Sequence, residues 1–237
     1  MDYGEHLEAL ARESAALVRA AERAWPDAAV PPCPGWTMAD LVAHMASGNW
    51  RVATLVETRS LEPLPREFPA ETPATDQLLA WYRASTDQLL EVLAATEPGA
   101  PVWTFVPERS AAFWALRRAN ETAVHRWDAE QASGIGRPIA APLAVDGIDE
   151  TLEIFSRRGL VGDGETVHFH CTDADGEWLV RATPAGFEID RVHAKGDVAV
   201  RGSASALDLY LWGRLPIDGF ETFGDLAVLE RVFDVSR

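Results

Sequence analysis

The stretch CPGWTMADLVAHMASGNWRVATLVE, residues 33–57, carries the start signal and the composition of a helix. Thr37 is followed three residues later by Asp40, and this spacing predicts a capping box, in which each side chain accepts a hydrogen bond from the other residue's backbone amide. We therefore expect a helix from this cap to about Glu57.

Three more helices are predicted in the same half of the chain. They run from Asp2 to about Trp25, through residues 74–96, and from Ser110 to Ala132. Apolar residues recur at helical spacing in each run. Pro26 ends the first helix, and Gly134 follows the last at a position that favours a left-handed residue. The first half is predicted to be a four-helix bundle.

The composition changes at GIGRPIAAPLAVDG, residues 134–147, where glycines and prolines interrupt the helical period. We place a domain boundary there, which gives a bundle at 1–140 and a second domain at 141–237. A helix from about Val145 to Arg158 is predicted to open the second domain. Four short β-rich runs follow at 165–172, 177–183, 186–192 and 197–202, then helical runs at 203–214 and 224–233. The predicted fold class is α+β, with a small antiparallel sheet in the second domain.

The bulk composition excludes several classes of protein. The net charge of −16, from 37 acidic and 21 basic residues, argues against binding to nucleic acid or anionic lipid. No stretch approaches the roughly 18 apolar residues of a membrane span. The N-terminal run MDYGEHLEAL carries acids where a secretory signal has basic residues. We expect a cytoplasmic protein.

The two cysteines, Cys33 and Cys171, form no CxxC pair, so neither a disulfide framework nor a thiolate zinc knuckle is indicated. Any metal would then be held by histidine and carboxylate. Cys33, between two prolines, is open to interpretation as a nucleophile or as part of a packed connection. Cys171 is predicted to point to the apolar side of a strand, and His168 and His170, on the opposite face, are interpreted as a surface or domain-interface feature.

Glu121 and His125 are four residues apart in a predicted helix, so their side chains share one face. One interpretation is an ordinary polar face on which Glu121 pairs with Arg117 or Arg118. The other depends on His44, which lies in the apolar run DLVAHMA and is expected to face the bundle interior.

A bundle can bring His44 opposite Glu121 and His125, as bundle metal sites do with inward-facing carboxylates and histidines. Two histidines and one carboxylate form a three-ligand site with open coordination positions. Such a site suits zinc in a catalytic role, or ferrous iron in an oxygenase. The donor set does not choose between the two metals.

The runs CPGWTMADLVAHMASG, NETAVHRWDAE and LDLYLWGRLP together resemble the mycothiol-dependent maleylpyruvate isomerase family, within the wider DinB-like metal-binding bundles. The resemblance covers nearly the whole chain. It implies a metal-binding four-helix bundle followed by an α+β domain similar to sterol carrier proteins. It also implies that His44, Glu121 and His125 hold a divalent metal, usually zinc, that mycothiol is the thiol bound there, and that Arg214 lies near the substrate carboxylates.

The expected function is that of a metal-dependent, thiol-using transferase or isomerase. A thiolate activated at zinc would attack an electrophilic small molecule, and carboxylates on that molecule would pair with Arg214. Two other classes stay open. One is a non-catalytic protein that binds a metal and a small ligand, and the other is a thiol-independent metal-dependent hydrolase or oxygenase.

Overall fold

The computed structural model describes residues 1–69, 71–156 and 162–233. The chain divides into two compact units, Met1–Arg137 and Pro138–Arg237. This division lies three residues before the boundary at 140 that the composition predicts. None of the helices in the described ranges is long and apolar enough to cross a membrane.

The N-terminal unit is a four-helix bundle, as predicted. Its helices are α1 (Tyr3–Arg23), α2 (Met38–Glu57), α3 (Leu78–Ala94) and α4 (Ala111–Gln131). Helix α1 packs mainly on α4 and α2 mainly on α3, while smaller α1–α3 and α2–α4 contacts complete the bundle. The α2–α4 contact matters most for function, because it brings together side chains that are far apart in sequence.

Helix α2 begins at the predicted capping box. The Asp40 amide donates to Thr37 Oγ1 at 3.2 Å, and the Thr37 amide donates to Asp40 Oδ2 at 2.8 Å. The Thr37 hydroxyl also donates to Asp40 Oδ2 at 2.7 Å, and this bond, together with the one from the Thr37 amide, lowers the pKa of the Asp40 carboxyl. The Asp2 side chain caps α1, and the Ser110 side chain caps α4, the helix predicted to begin at Ser110. Because a cap fixes the first turn, it also fixes which residues of the helix share a face.

The C-terminal unit is an α+β domain, as predicted. It contains α5 (Ala141–Ser156), α6 (Ala204–Leu211) and α7 (Leu226–Val232), with strands β1 (Thr166–Cys171), β2 (Glu177–Thr183), β3 (Gly186–Asp190), β4 (Val198–Gly202) and β5 (Glu221–Gly224). Helix α5 begins four residues before the predicted Val145. The predicted end at Arg158 lies outside the described residues.

The sheet has the strand order β3-β2-β1-β4-β5 and is mixed, because β1 and β4 are parallel. The prediction of antiparallel strands holds for the other pairs and is wrong for this one. Two hairpins place β2 and β3 on one side of β1, so β4 has to cross to the other side, where it runs in the direction of β1. The edge strand β5 was not predicted, since the run ETFG is too short to show a strand pattern.

One face of this sheet forms the core of the unit. Phe169 and Val167 of β1 lie on it, and Trp178 of β2 is fully buried there. Phe233, after α7, contacts the rings of Phe169 and Phe187. Cys171 belongs to the same face, as predicted, and burial raises the pKa of its thiol to about 12. Since only the thiolate is nucleophilic, this cysteine is a packing residue.

Candidate metal centre

The structure brings His44, Glu121 and His125 together at the contact between α2 and α4. One ligand atom from each side chain lies within 4.8 Å of the other two. His44 Nε2 is 3.5 Å from Glu121 Oε1, and the two imidazole rings are 5.2 Å apart between centroids. The three residues that the sequence selected as candidate metal ligands therefore form one cluster.

His44 lies at the open side of this cluster. Its side chain is 43% exposed, whereas those of Glu121 and His125 are 13% and 6% exposed. The expectation that His44 faces the bundle interior is therefore wrong. The buried stripe of α2 runs through its neighbours Leu41 and Met45, and His44 falls at the edge of that stripe. A cluster with one exposed imidazole can be reached by a small molecule from solvent.

Two arginines hold the Glu121 carboxylate. Arg118 NH1 donates to Oε2 at 2.6 Å, and Arg117 NH2 lies 3.6 Å from the same oxygen. Glu121 therefore pairs with both arginines proposed from the sequence. The face is not a solvated one, because the Arg118 side chain is only 3% exposed. Burial opposes the negative charge, yet the two guanidinium groups outweigh it and hold the pKa of Glu121 well below its usual range. The carboxylate is ionised at neutral pH, as a metal ligand must be.

Arg118 is itself fixed by α2. Its Nε and NH2 donate to Asn49 Oδ1 at 3.1 and 2.8 Å, and NH2 also donates to the Met45 carbonyl at 3.3 Å. A Cβ atom on Gly48 would lie 2.7 Å from Arg118 NH1, so the guanidinium occupies the space that a side chain at position 48 would need. Sequence reasoning did not find this network. A glycine followed by asparagine in the middle of an apolar helix is the only local sign of it.

His125 is oriented by a buried carboxylate on the next turn of α4. Its Nδ1 lies 2.8 Å from Asp128 Oδ2, and Cys33 Sγ donates to the same oxygen at 3.4 Å. Burial lowers the pKa of His125, although Asp128 opposes that effect, so the ring is neutral at neutral pH. Asp128 was also missed from the sequence, where only its position three residues after His125 marks it.

Cys33 and Trp36 come from the connection before α2. Cys33 lies within the hydrophobic core of the bundle, which favours the interpretation as part of a packed connection. The Trp36 ring lies 5.0 Å from the His44 ring and stacks at 6.3 Å on that of His125, measured between centroids. Trp36 therefore forms an aromatic wall beside the two histidines.

Arg214, the predicted substrate-binding residue, lies in the C-terminal unit directly after α6. Gly213 has φ +71°, a left-handed conformation that ends the helix and turns the chain at Arg214. Arg214 NH1 donates to the Trp212 carbonyl at 2.8 Å, and its guanidinium lies 5.9 Å from the centroid of the Trp212 ring. The role of Arg214 in substrate binding stays a prediction.

Two proteins of Mycobacterium tuberculosis are similar in sequence to this chain. The chain is 29% identical over 135 residues to an uncharacterized protein of Mycobacterium tuberculosis (strain ATCC 25618 / H37Rv), a match that spans 55% of this chain and 64% of that protein. A second uncharacterized protein of that strain is 29% identical over 123 residues, which cover 45% of this chain and 47% of the relative. The chain thus spans less than two thirds of the length of these relatives.

The fold matches a solved structure along most of its length. The crystal structure of the mycothiol-dependent maleylpyruvate isomerase superposes with a TM-score of 0.67 at 18% identity, over 94% of this chain and 93% of that one. Residues 7–130 match the family model of the mycothiol maleylpyruvate isomerase N-terminal domain, and residues 142–231 match that of the corresponding C-terminal domain. The chain therefore belongs to the mycothiol maleylpyruvate isomerase family.

Proposed function

We propose that this chain is a zinc-dependent enzyme of the isomerase type that works with a mycothiol-type thiol on a small electrophilic substrate. The observation that supports the proposal is the convergence of two imidazoles and one ionised carboxylate within 4.8 Å, in a chain of this family. A cytoplasmic location goes with the proposal, since mycothiol is a low-molecular-weight thiol of the cytosol in the organisms that use it.

The donor set fits zinc. Catalytic zinc sites use three protein ligands drawn from histidine and carboxylate and keep a fourth position open. Asp128 accepts a hydrogen bond from Nδ1 of His125, so Nε2 would be the ligand atom of that ring. Histidines that bind zinc commonly donate their other ring nitrogen to a carboxylate in this way. Arg118 holds Oε2 of Glu121, which assigns Oε1, the oxygen nearer His44, to the metal.

Zinc, when bound, lowers the pKa of a thiol that coordinates it, so that the thiolate is present at neutral pH. That nucleophile would suit isomerisation, by addition to an unsaturated substrate, rotation about the new single bond and release of the thiolate, or transfer, by displacement of a leaving group. The residues of this chain position the reactants. Asp128 and Arg118 fix two ligands against rotation, and the Trp36 ring bounds the space beside His44.

We expect a thiol to bind the zinc-loaded chain with release of a proton. A thiolate is a better ligand than water at the fourth position, and binding only to the folded state should raise the unfolding temperature with thiol concentration. Calorimetry of mycothiol against the zinc-loaded protein, in two buffers of different ionisation enthalpy, counts the protons released.

The matched controls are the metal-free protein and the Glu121→Ala variant, in which the effect should disappear. Binding that is indifferent to the metal, or no binding at millimolar thiol, would contradict the proposal and favour a non-catalytic protein that binds a metal and a small ligand. Turnover that needs no thiol would instead favour a metal-dependent hydrolase or oxygenase.

We also propose that Arg214 binds a carboxylate of the substrate. Arg214→Lys keeps the positive charge but loses the planar fork that pairs with both oxygens of a carboxylate, so KM for a carboxylate substrate should rise about tenfold. Steady-state kinetics with a substrate such as maleylpyruvate measures this change, and Arg181→Lys on β2 is the control. An unchanged KM, or an equal change in the control, would reject the role of Arg214.

A further inference from the structure

A second cluster of possible metal ligands lies in the C-terminal unit. His168, His170, Glu177 and His193 each offer one atom, and these four atoms lie within 4.8 Å of one another. None of them belongs to the site at α2 and α4. The cluster contains three of the six histidines of the chain, and all three lie close to one carboxylate.

The sheet register places three of these residues on one face. His168 and His170 alternate along β1, and Glu177 of β2 lies directly opposite His170 in the antiparallel pair. The other face of the same strands carries the apolar core, so the histidines and the glutamate share the polar side. This spacing was interpreted from sequence as a surface or domain-interface feature, but the His168 side chain is only 7% exposed.

The fourth residue, His193, comes from the connection between β3 and β4. That connection passes close to β1, since a Cβ atom on Gly196 would lie 3.1 Å from both the His168 amide nitrogen and the Thr166 carbonyl. Its far end is fixed by Asp197, whose Oδ2 accepts bonds of 2.8 Å from the Thr166 amide and hydroxyl. Contacts outside the cluster, at Gly196 and Asp197, therefore hold this connection, and with it His193, next to β1.

The four side chains lie close enough to one another to close around one ion. His170 Nδ1 and His193 Nδ1 lie 2.6 and 2.8 Å from the Glu177 carboxylate oxygens. The three ring centroids form a nearly regular triangle with sides of 5.6, 6.0 and 6.0 Å. With Zn–N bonds of about 2.1 Å, tetrahedral geometry places ring centroids roughly 5 Å apart, so the rings would need to close by ~1 Å or less.

His168 argues against an ordinary polar cluster. Its Nε2 atom is buried, lies 3.8 Å from Glu177 Oε2 and makes no hydrogen bond to any residue in the described part of the chain. A buried polar atom without a partner destabilises the folded state. A bond to a metal would satisfy this nitrogen, whereas the hydrogen bonds within the cluster do not.

We propose that His168, His170, His193 and Glu177 bind a structural zinc ion in the C-terminal unit. Three imidazole nitrogens and one carboxylate oxygen complete a tetrahedral shell, so this site has no position left for a thiol or a substrate. The ion fastens the connection between β3 and β4 onto strands β1 and β2. This role is independent of the function proposed for the site at His44, Glu121 and His125.

The test is a zinc titration of the full chain made without a histidine tag and stripped of metal by a chelator. The parent is His44→Ala, in which the bundle site lacks one ligand. The double variant His170→Ala/His193→Ala in that parent should bind one zinc equivalent fewer at micromolar zinc. Glu177→Gln in the parent should also weaken zinc binding, whereas Glu188→Gln, which changes an exposed carboxylate on β3, is the control and should not. Zinc should raise the unfolding temperature of the parent but not that of the double variant.

The substitutions avoid the buried His168. The His193 side chain is 79% exposed, so His193→Ala alone leaves the packing intact and should still weaken zinc binding at least tenfold. Equal zinc binding by the parent and the double variant would overturn the proposal, and so would binding that occurs only at millimolar zinc. Because the bundle site is disabled in every chain compared, neither result depends on the proposed enzyme activity.

Discussion

Replacing His125 with alanine is expected to remove one zinc equivalent from the chain and to lower thiol-dependent turnover at least ~100-fold. His125 is the most buried of the three proposed ligands, and its loss leaves one imidazole and one carboxylate, too few to hold the ion. Metal analysis of the purified variant and turnover of maleylpyruvate with mycothiol are the two measurements. The helical circular dichroism signal should persist, because the bundle core is formed by apolar residues.

The buried Asp128 complicates this variant, because it loses its partner on His125 and keeps the bond from Cys33. Some loss of stability is therefore expected in His125→Ala, about 1–3 kcal/mol. His44→Ala provides the matched control, since the His44 side chain is 43% exposed and carries no such buried partner. It should lose the same zinc equivalent at little cost in stability. If both variants keep as many zinc equivalents per chain as the unchanged protein, the site assignment is wrong.

Arg118→Met is expected to produce the largest loss of stability among single substitutions near the site, about 3–5 kcal/mol. The side chain is 3% exposed and donates to Glu121 and to Asn49. Methionine fills much of the same volume but donates no hydrogen bonds, so Glu121 and Asn49 would stay in place without the donor they have in Arg118. The free energy of unfolding in urea measures the loss, and zinc affinity should fall about 10–100-fold because Glu121 is no longer held.

Arg117→Met is the control for this result. Arg117 lies 3.6 Å from the same carboxylate, beyond hydrogen-bond distance, so its removal should cost less stability than the removal of Arg118. A larger loss of stability in Arg118→Met than in Arg117→Met would show that the buried hydrogen bonds of Arg118 stabilise the bundle beyond simple charge attraction to Glu121. Equal losses in Arg117→Met and Arg118→Met would refute the role given to the buried guanidinium.

Much of the local structure was predictable from the sequence. The capping box at Thr37 and Asp40, the helical period of the bundle and the spacing of Glu121 and His125 each depend on residues within one or two turns. Interactions within one or two helical turns do not depend on where the helix packs, so they can be predicted from a single sequence. The linker composition likewise marked a division close to the one between Arg137 and Pro138.

The tertiary structure alone decided which distant residues meet. It placed His44 at the exposed edge of α2, paired Arg118 with Asn49, and ran β4 parallel to β1. It also carried His193 from a connection to the histidines of β1. These contacts join residues that are distant in sequence, and their formation depends on how whole helices and strands pack. Periodicity predicts the face on which a side chain lies, whereas the packing of that face decides what the side chain contacts.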